Sequence, residues 1–332
     1  MRRSEVLIVG GGPAGAACAW ALRQQGIEAL VLDRAVFPRL KLCAGWITPQ
    51  VLADLDVAAW EYPHGLTTLT RLHLSIRGLK LRLPARQMAI RRREFDAWLL
   101  ARAGVAVETH HVRSVQRYDG GYIVDGAFFG RYLVGAGGTH CPVARTFFSE
   151  VTPRMPEALV VTQEEAFSYA YRHDGWGDAC HLWFFEDGLP GYAWYVPKVG
   201  GIVNVGVGGK AGTLKARGTT IRDHWERLVA RLDAKGLVRD YVFRPRGHAY
   251  YLRQGAPQLR VEDAFVAGDA AGLATADMGE GIGPAIRSGL LIARAITTGS
   301  APDPDEIDRY SQPWWIAPLL ARGYGSGTQP VG

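Results

Sequence analysis

The strongest constraint on the fold is a glycine-rich turn close to the N-terminus. Residues 6–9 form a continuous apolar run, as expected of a parallel strand that is buried on both faces. Gly10, Gly12 and Gly15 follow in G-x-G-x-x-G spacing, which permits a tight turn, the approach of a phosphate and close helix packing. This turn also contains Pro13 and Ala14, and we predict that it binds the phosphates of a dinucleotide at a helix N-terminus.

A helix and a second strand complete the motif. The pattern of residues 16–25 predicts a helix that ends at Gly26, and residues 29–32 form a second apolar run that leads into Asp33. A carboxylate at the end of this strand can accept hydrogen bonds from ribose hydroxyls, and we expect Arg34 beside it to contact the cofactor as well. The first part of the chain is therefore predicted to be a βαβ dinucleotide-binding unit.

The middle of the chain has a different pattern. Apolar residues alternate over residues 69–83 on both sides of Arg77-Gly78, which predicts a two-residue β-hairpin. Longer antiparallel strands are predicted at 158–171, 181–186, 192–196 and 202–207. Another short buried strand, at 264–267, precedes a second glycine motif and an apolar helix over 281–298. Nucleotide-type patterns thus lie at both ends of the chain, with antiparallel sheet between them.

This layout predicts an α/β fold in which an antiparallel (α+β) sheet domain is inserted into a Rossmann-like domain. The dinucleotide-binding domain is predicted to comprise residues 1–67, 86–153 and 255–300, and the substrate domain residues 68–85 and 154–254. Residues 301–332 are rich in proline and glycine and are predicted to form a short C-terminal tail.

The second glycine motif indicates which dinucleotide is bound. It begins at Gly268, continues as Asp269-Ala-Ala-Gly, and is followed by Gly279-Glu280-Gly281-Ile282 and the long apolar helix. The Asp269 carboxylate can hold ribityl or phosphate-side hydroxyls, and the helix N-terminus near Gly281 can face the flavin pyrimidine, where reduced flavin carries negative charge. A site for NAD needs no such second element. The predicted cofactor is therefore FAD.

With these motifs the chain resembles the FAD-dependent superfamily of aromatic hydroxylases (group A flavin monooxygenases), halogenases and geranylgeranyl reductases, which have the p-hydroxybenzoate hydroxylase fold. The resemblance covers about residues 4–300. It implies that Arg92, in an R-x-x-F-D segment, contacts FAD, as do Asp269 and the loop of Gly279, Gly281 and Ile282. The other cofactor contacts implied by this resemblance are Cys43, Ala44, Val112, Gly135 and Gly268.

Two further segments resemble those of geranylgeranyl reductases. Residues 37–45 are similar to their F-P-R-x-K-x-C segment, and residues 190–208 are similar to their Y-x-W-x-F-P and N-V-G-x-G strands. Tyr192 and Trp194 alternate with Ala193 and so share a sheet face, and we expect them to line the substrate cavity, with ordinary core packing as the alternative. Glu280, between two glycines, is expected in the same substrate site near the flavin. Cys43 is the candidate catalytic residue, as a thiol near the flavin that could supply a proton.

One stretch departs from the superfamily pattern. Gly137, Cys141 and Ala144 stand where the usual G-A-D-G-x-x-S-x-V-R motif has Asp, Ser and Arg. That Asp is associated with pyridine-nucleotide use in the hydroxylases. The electron donor is therefore left open, with NAD(P)H among the candidates.

The predicted function is that of an FAD-dependent oxidoreductase acting on a hydrophobic or aromatic organic substrate, similar to geranylgeranyl reductases. The alternative is an FAD-dependent monooxygenase that hydroxylates its substrate through a flavin hydroperoxide. Two other classes stay open, namely a non-catalytic flavoprotein and a membrane-surface protein that handles lipids. The substrate's identity is not specified by these motifs.

The composition limits the classes of partner that this chain is expected to bind. The apolar fraction of 48% and charged fraction of 21% are typical of a globular protein. The net charge of +6 is scattered, without a basic stripe or nucleic-acid motif, so we expect no nucleic-acid partner. The four cysteines have no C-x-x-C spacing, which favours a reducing, cytoplasmic location without a bound metal. Peripheral membrane contact and oligomeric state stay open.

Overall fold

The structure is a computed structural model that describes residues 1–169 and 177–310. Most strands coincide with apolar or alternating runs in the sequence. In chain order they are β1 (Arg2–Val9), β2 (Ala29–Asp33), β3 (Trp46–Ile47), β4 (Thr67–Ile76), β5 (Leu79–Ala89), β6 (Ala106–Thr109), β7 (Val115–Tyr118), β8 (Gly121–Val124), β9 (Phe128–Gly135), β10 (Leu159–Ser168), β11 (Ala179–Phe184), β12 (Gly191–Lys198), β13 (Ile202–Lys210), β14 (Arg246–Tyr251), β15 (Arg260–Val261) and β16 (Ala264–Val266).

The α-helices include the two predicted beside the glycine motifs, over residues 16–25 and 281–298. In chain order the helices are α1 (Pro13–Gln24), α2 (Pro49–Asp54), α3 (Arg92–Ala103), α4 (Pro142–Phe147), α5 (Ala211–Ala216), α6 (Ile221–Ala234) and α7 (Ile282–Thr298). Helix α1 starts three residues earlier than predicted, at Pro13. Proline is favoured at the first helical position because its ring presets φ and the backbone N–H of that position has no partner within the helix.

The first sheet has a parallel centre, in the order β15-β16-β9-β1-β2-β6, with β7 and β8 extending from β9. Helices α1 and α7 pack beside each other on one of its faces. In such a sheet, ligands bind outside the carboxyl ends of the strands. The turns after β1, β2, β9 and β16 lie at that edge, so the topology brings both glycine motifs and Asp33 together.

The second sheet has the order β14-β10-β13-β12-β11-β4-β5-β3, with every neighbouring pair antiparallel except β11 and β4. The predicted hairpin is present, with Ile76 opposite Leu79 across the turn. Helix α6 covers one face of the sheet with Trp225, Leu228 and Leu232. The opposite face, which carries Tyr192 and Trp194, is turned toward the first sheet's ligand edge.

The α/β fold with an antiparallel insertion is therefore confirmed. The detailed boundaries differ in places from those predicted. The predicted boundary between residues 85 and 86 falls inside β5, and β3 joins the same sheet by pairing with the end of β5. The predicted end of a strand at Tyr171 lies outside the described residues, as does most of the predicted tail, of which residues 304–310 form a 3₁₀ turn.

Candidate functional site

One continuous cavity of about 660 Å³ runs from the first glycine turn to the face of the second sheet that carries Tyr192 and Trp194. This volume lies within the range of about 300–1,000 Å³ that is typical of small-molecule and cofactor sites. Most of the residues predicted from the sequence line it. They are Gly10, Gly12, Pro13, Ala14, Asp33, Arg34, Cys43, Ala44, Arg92, Val112, Gly268, Asp269, Gly279, Gly281, Ile282, Tyr192 and Trp194.

Three predicted residues do not line this cavity. A Cβ at Gly15 would lie 1.9 Å from the carbonyl oxygen of Gly10, and a Cβ at Gly135 would lie 2.7 Å from the Cβ of Val143. These two glycines serve close packing beneath the site. The Glu280 Oε1 atom is buried away from the cavity, and it would lie 2.6 Å from a Cβ at Gly283. Burial raises the pKa of Glu280 to about 8, so this carboxyl is largely protonated at neutral pH.

The phosphate end of the cavity is the uncapped N-terminus of α1. Among the described residues no side chain caps this helix, whose N-cap is Gly12. Gly10 has a φ of +109°, which an L-residue rarely adopts, so the turn requires glycine there. A Cβ at Gly12 would meet only the Arg39 Nη2 atom, at 3.4 Å. The free N–H groups and the neighbouring guanidinium therefore form an anion site that opens into the cavity.

Asp33 is held in place at the end of β2 by the loops around it. Its Oδ2 accepts a hydrogen bond from the Gly11 N–H at 2.7 Å, and its Oδ1 accepts one from the Ala35 N–H at 2.8 Å. Each carboxylate oxygen retains a lone pair for a further donor. Asp33 can thus receive ribose hydroxyls while it fixes the shape of the first glycine turn.

The second glycine motif places another helix N-terminus at the cavity. No described side chain caps α7 at Gly281, and a Cβ at Gly281 would lie 3.5 Å from the Asp269 Oδ1 atom. A buried hydrogen bond fixes this turn to α7, because the Gly268 N–H donates to the Ser288 Oγ at 3.0 Å. Asp269 and the α7 N-terminus therefore face the same part of the cavity.

Arg92 joins α3 to the loop that carries Cys43. Its guanidinium is 7% exposed and donates two hydrogen bonds to Asp96, at 2.7 and 2.9 Å. Burial lowers the pKa of Arg92, but the charges of Asp96 and Cys43 outweigh it and the net shift is upward. The Gly45 N–H donates to the Cys43 Sγ at 3.3 Å. Cys43 thus borders the cavity, and a backbone hydrogen bond within its own loop fixes its sulfur there.

The sheet wall of the cavity is built around Trp194. A Cβ at Gly206 would lie 2.2 Å from the Trp194 ring, so glycine is required there for the indole to lie flat on β13. The indole Nε1 donates to the Asn204 Oδ1 at 2.6 Å, and the Asn204 Nδ2 donates to the Glu164 Oε2 at 3.0 Å. This connected network explains the alternation of asparagine and glycine along β13. Tyr192 donates to the Met278 carbonyl at 2.6 Å and ties the sheet to the Gly279 loop.

Glu164 and His248 add titratable groups to this wall. The His248 Nδ1 lies 3.5 Å from the Glu164 Oε1 and 2.7 Å from the Thr162 Oγ1. Burial raises the pKa of Glu164, although the hydrogen bond from Asn204 and the charge of Lys198 act against it. Burial and the charges of Lys41 and Arg92 lower the pKa of His248 to about 4, so its ring is neutral at neutral pH.

Lys198 lies beneath the Cys43 loop and is 3% exposed. Its Nζ would lie 2.7 Å from a Cβ at Gly45. Burial lowers the pKa of Lys198 to about 8, while the negative charges of Cys43 and Glu164 raise it. The ammonium group of Lys198 is therefore held inside the protein between two acids at neutral pH.

We predict that Lys198→Met changes how stability depends on pH. Between about 8 and the ordinary value of 10.5, unfolded Lys198 binds a proton that the folded protein lacks. The unfolded state binds more protons there, so the free energy of unfolding of the wild type should rise with pH relative to the variant. The expected gain is roughly 3 kcal/mol across this interval. Urea unfolding at its two ends measures it, with the exposed Lys215→Met as control, and equal pH profiles would contradict the prediction.

Five residues of the cavity wall and its surroundings were not predicted from the sequence. Thr162, Glu164, Lys198, Asn204 and His248 come together only through the pairing of β10 with β13 and β14, and of β13 with β12. Their shared face could be inferred only with the strand register known, since one residue of slip would turn each side chain away. The N-V-G-x-G pattern contained a partial signal, because Asn204 and Gly206 alternate with buried valines.

The comparisons agree with this architecture. Residues 8–50 match the family model of an NAD(P)-binding Rossmann-like domain. The menaquinone reductase of Mycobacterium tuberculosis is 33% identical over 237 residues, which are 62% of this chain and 55% of that protein. The menaquinone reductase of Mycolicibacterium smegmatis is 29% identical across 98% of this chain and 82% of its own length. The chain spans about half the length of the M. tuberculosis protein that it matches.

A solved structure extends the comparison to the whole chain. A geranylgeranyl bacteriochlorophyll reductase-like protein from Thermoplasma acidophilum covers 98% of this chain and 85% of its own, with a TM-score of 0.76 and 18% identity. The chain is therefore similar in sequence to these reductases and shares the fold of the geranylgeranyl reductase-like flavoproteins. A probable FAD-dependent monooxygenase from Pseudomonas aeruginosa shares the superfamily fold, with a TM-score of 0.70, 17% identity and coverage of 97% and 94%. The predicted superfamily is thus confirmed.

Residues 1–169 and 177–310 contain neither a membrane-spanning helix nor a metal-binding cluster. No helix there is both long and apolar enough to cross a membrane. In the same part of the chain, no group of three or more His, Cys, Asp or Glu side chains is arranged to hold a metal ion.

Proposed function

We propose that this protein is an FAD-dependent oxidoreductase that reduces a carbon–carbon double bond in a hydrophobic substrate. The observation that carries the proposal is the continuity of the cavity. One space joins the α1 N-terminus, where phosphates bind, to the wall formed by Tyr192 and Trp194. A dinucleotide cofactor and an organic substrate could therefore meet inside it.

The chain's residues fit FAD along this space. The two uncapped helix N-termini, of α1 and α7, suit the pyrophosphate and the electron-rich end of a flavin. Asp33 suits the ribose and Asp269 the ribityl or phosphate side. When bound, FAD would supply the two-electron chemistry, and the protein would supply binding, orientation and charge near the ring.

The sheet wall suits an apolar or conjugated substrate. Trp194 is 5% exposed and fixed by Asn204, so it offers a rigid flat surface, and Tyr192 lies beside it. The menaquinone reductases and the geranylgeranyl bacteriochlorophyll reductase-like protein point to prenylated compounds as the class to test. A peripheral membrane contact, from which such a substrate could be collected, stays a prediction.

Cys43 is the proposed proton donor in this reaction. It borders the cavity, and the Gly45 N–H donates to its sulfur at 3.3 Å, which holds the thiol in place. The double bond would then gain a hydrogen with two electrons from the reduced cofactor and a proton from Cys43.

Oxygenation is the second candidate function. The fold shared with the P. aeruginosa monooxygenase favours it, and the same aromatic wall would suit an aromatic substrate. The two functions differ in whether dioxygen enters the product. The electron donor is also undecided between NAD(P)H and another reductant. The reason is that Gly137 replaces the Asp that hydroxylases use.

The test starts from the protein loaded with FAD. We expect about one FAD per chain, and reduction by dithionite without oxygen. Adding geranylgeranyl diphosphate or a menaquinone should reoxidise the flavin and yield a product with one more pair of hydrogens, seen by mass spectrometry. Labelled dioxygen in the product would favour the monooxygenase. Failure to bind FAD, or flavin that no prenylated probe reoxidises, would contradict the proposal.

A further inference from the structure

The β4–β5 hairpin at the edge of the second sheet has an exposed apolar face. On β5, Leu79, Leu81 and Leu83 are 64%, 38% and 43% exposed, and because they alternate along the strand they point to one side. Over residues 79–87 no described strand pairs with the outer side of β5, since β3 pairs only with its last two residues. Folded proteins seldom leave a row of large aliphatic side chains uncovered at a sheet edge, so this face is expected to have an occupant.

Two cross-strand rows connect this edge to the wall of the cavity. Both run from β5 through β4 and β11 to β12, and their members are Leu81, Leu74, Leu182 and Trp194 in one row and Leu79, Ile76, Phe184 and Tyr192 in the other. Exposure falls along the first row, from 38% at Leu81 to 1% at Leu182 and 5% at Trp194. With strands roughly 4.8 Å apart, the edge lies about 14 Å from the cavity wall. The exposed edge and the cavity wall are therefore parts of one apolar sheet face.

The hairpin is also strongly cationic. Residues 62–93 contain eight Arg and Lys side chains and no Asp or Glu. Lys80 and Arg82 are exposed on β5 between the leucines, and within residues 1–169 and 177–310 neither forms an ion pair. Asp178, at the start of β11, is paired with Arg71 and leaves these two cations unneutralised. The edge therefore combines an aliphatic row with positive charge.

The turn of the hairpin is fixed to the neighbouring chain. The Glu186 Oε1 atom accepts hydrogen bonds from the Ser75 hydroxyl at 2.7 Å and from the Gly78 N–H at 2.9 Å. The Arg77 guanidinium lies over the Phe185 ring, 6.0 Å from its centroid. The hairpin thus presents its leucines and cations from a fixed position, and no rearrangement is needed to expose them.

We propose that this docking edge, comprising residues 79–83, binds the protein to an anionic lipid surface. The leucines enter the boundary of the acyl chains, and Lys80 and Arg82 extend to the lipid phosphates. The inference rests on the proposed function, because the lipid surface is where a hydrophobic substrate would be collected. The apolar rows place that surface beside the cavity wall of Tyr192 and Trp194.

The composition of the docking edge favours a lipid surface over a protein partner. Protein interfaces are anchored mainly by Trp, Tyr and Arg, with leucine under-represented, whereas the exposed row here consists of leucine alone. Lys80 lies in the middle of the edge strand, and lysine at such a position discourages pairing with a strand of another copy. Aliphatic side chains with Lys and Arg beside them are typical of segments that lie on membranes.

The first test measures flotation of the FAD-loaded protein with vesicles of phosphatidylcholine and phosphatidylglycerol in equal amounts. The apolar variant combines Leu79→Ser, Leu81→Ser and Leu83→Ser. Its control combines Val107→Ser and Val242→Ser, whose side chains are 42% and 81% exposed elsewhere. We expect the wild type and the control to bind alike and the apolar variant to bind roughly tenfold more weakly or less. Wild type that does not bind, or an apolar variant that binds equally well, would overturn the docking edge.

The second test concerns the charges. Lys80→Gln with Arg82→Gln is compared with Arg113→Gln and Lys215→Gln, which remove the same charge at exposed positions elsewhere. Each cation at an anionic lipid surface changes affinity by about fivefold, so the first pair should weaken binding more than tenfold. On vesicles of phosphatidylcholine alone the two pairs should behave alike. Equal losses from both pairs on the anionic vesicles would assign the effect to net charge and contradict the proposal.

A fluorescent label distinguishes a lipid surface from other occupants. Leu81→Cys is labelled with an environment-sensitive dye in protein that also carries Cys43→Ala, because the other three cysteines are buried. We expect the emission to shift to the blue only after anionic vesicles are added. Blue emission without vesicles that is lost on dilution would show that a second copy covers the edge. Blue emission that persists on dilution would show that the chain covers its own edge, and either result overturns the proposal.

Vesicle binding is measured without turnover, so its outcome is separate from that of the proposed function. Protein that binds vesicles through the docking edge and reduces no prenylated probe would contradict the reductase and leave the docking edge standing. Protein that reduces dispersed geranylgeranyl diphosphate and binds no vesicles would overturn the docking edge and leave the reductase standing.

Discussion

Gly12→Trp should abolish FAD binding and leave the fold intact. Gly12 has a φ of −71°, which any residue adopts, and a Cβ there would meet only the flexible end of Arg39. An indole at this position would project into the space where the α1 N-terminus receives phosphate. After incubation with FAD and gel filtration, the flavin content should fall from about one per chain to almost none. Far-ultraviolet circular dichroism should not change.

Two other glycines serve as controls for this prediction. Gly212 lies in α5 and a Cβ there has no atom within 4 Å, so Gly212→Trp should keep both fold and FAD. At Gly15 a Cβ would lie 1.9 Å from the Gly10 carbonyl oxygen, so even Gly15→Ala should disturb the packing of α1. A folded Gly12→Trp protein that retains FAD would show that the phosphates bind elsewhere.

The local patterns of this chain were sufficient to predict much of its fold. The apolar run before Gly10 and the alternation around Arg77-Gly78 each depend on neighbours in sequence, and both elements are present. The extents of elements that depend on distant partners were predicted less well. Strand β5 continues to Ala89 because Trp46 and Ile47 pair with its end, more than 40 residues away in sequence.

In the site too, features set by neighbours in sequence were predicted better than features set by distant strands. Gly12, Asp33 and Asp269 could be predicted because each follows a strand whose end forms the ligand edge. Glu280 was misplaced, since a position in a glycine-rich loop does not determine which way its side chain points. Glu164 and Lys198 were missed for a related reason. Their strands are separated by β13, and a buried charge in an alternating strand has no signature of its own.

Cys43→Ala should reduce turnover by about 10²–10⁴-fold while FAD stays bound, which is the usual contribution of a positioned proton donor. The substitution removes only the thiol and leaves Gly45 and Arg92 in place. The cavity and the two helix N-termini should therefore be retained. Both the first and later turnovers should fall, because the donor itself is missing. Flavin content and anaerobic product formation from geranylgeranyl diphosphate measure the two quantities, and Cys180→Ala, in a buried strand away from the cavity, is the control.

The outcome also decides between reduction and oxygenation. A reductase needs one proton per double bond, and the cavity offers the Cys43 thiol as its candidate donor. A monooxygenase instead needs a site closed to water, and the loss of one thiol would have little effect on it. Cys43→Ala protein that turns over at the wild-type rate and inserts labelled dioxygen into its product would therefore exclude reduction by Cys43.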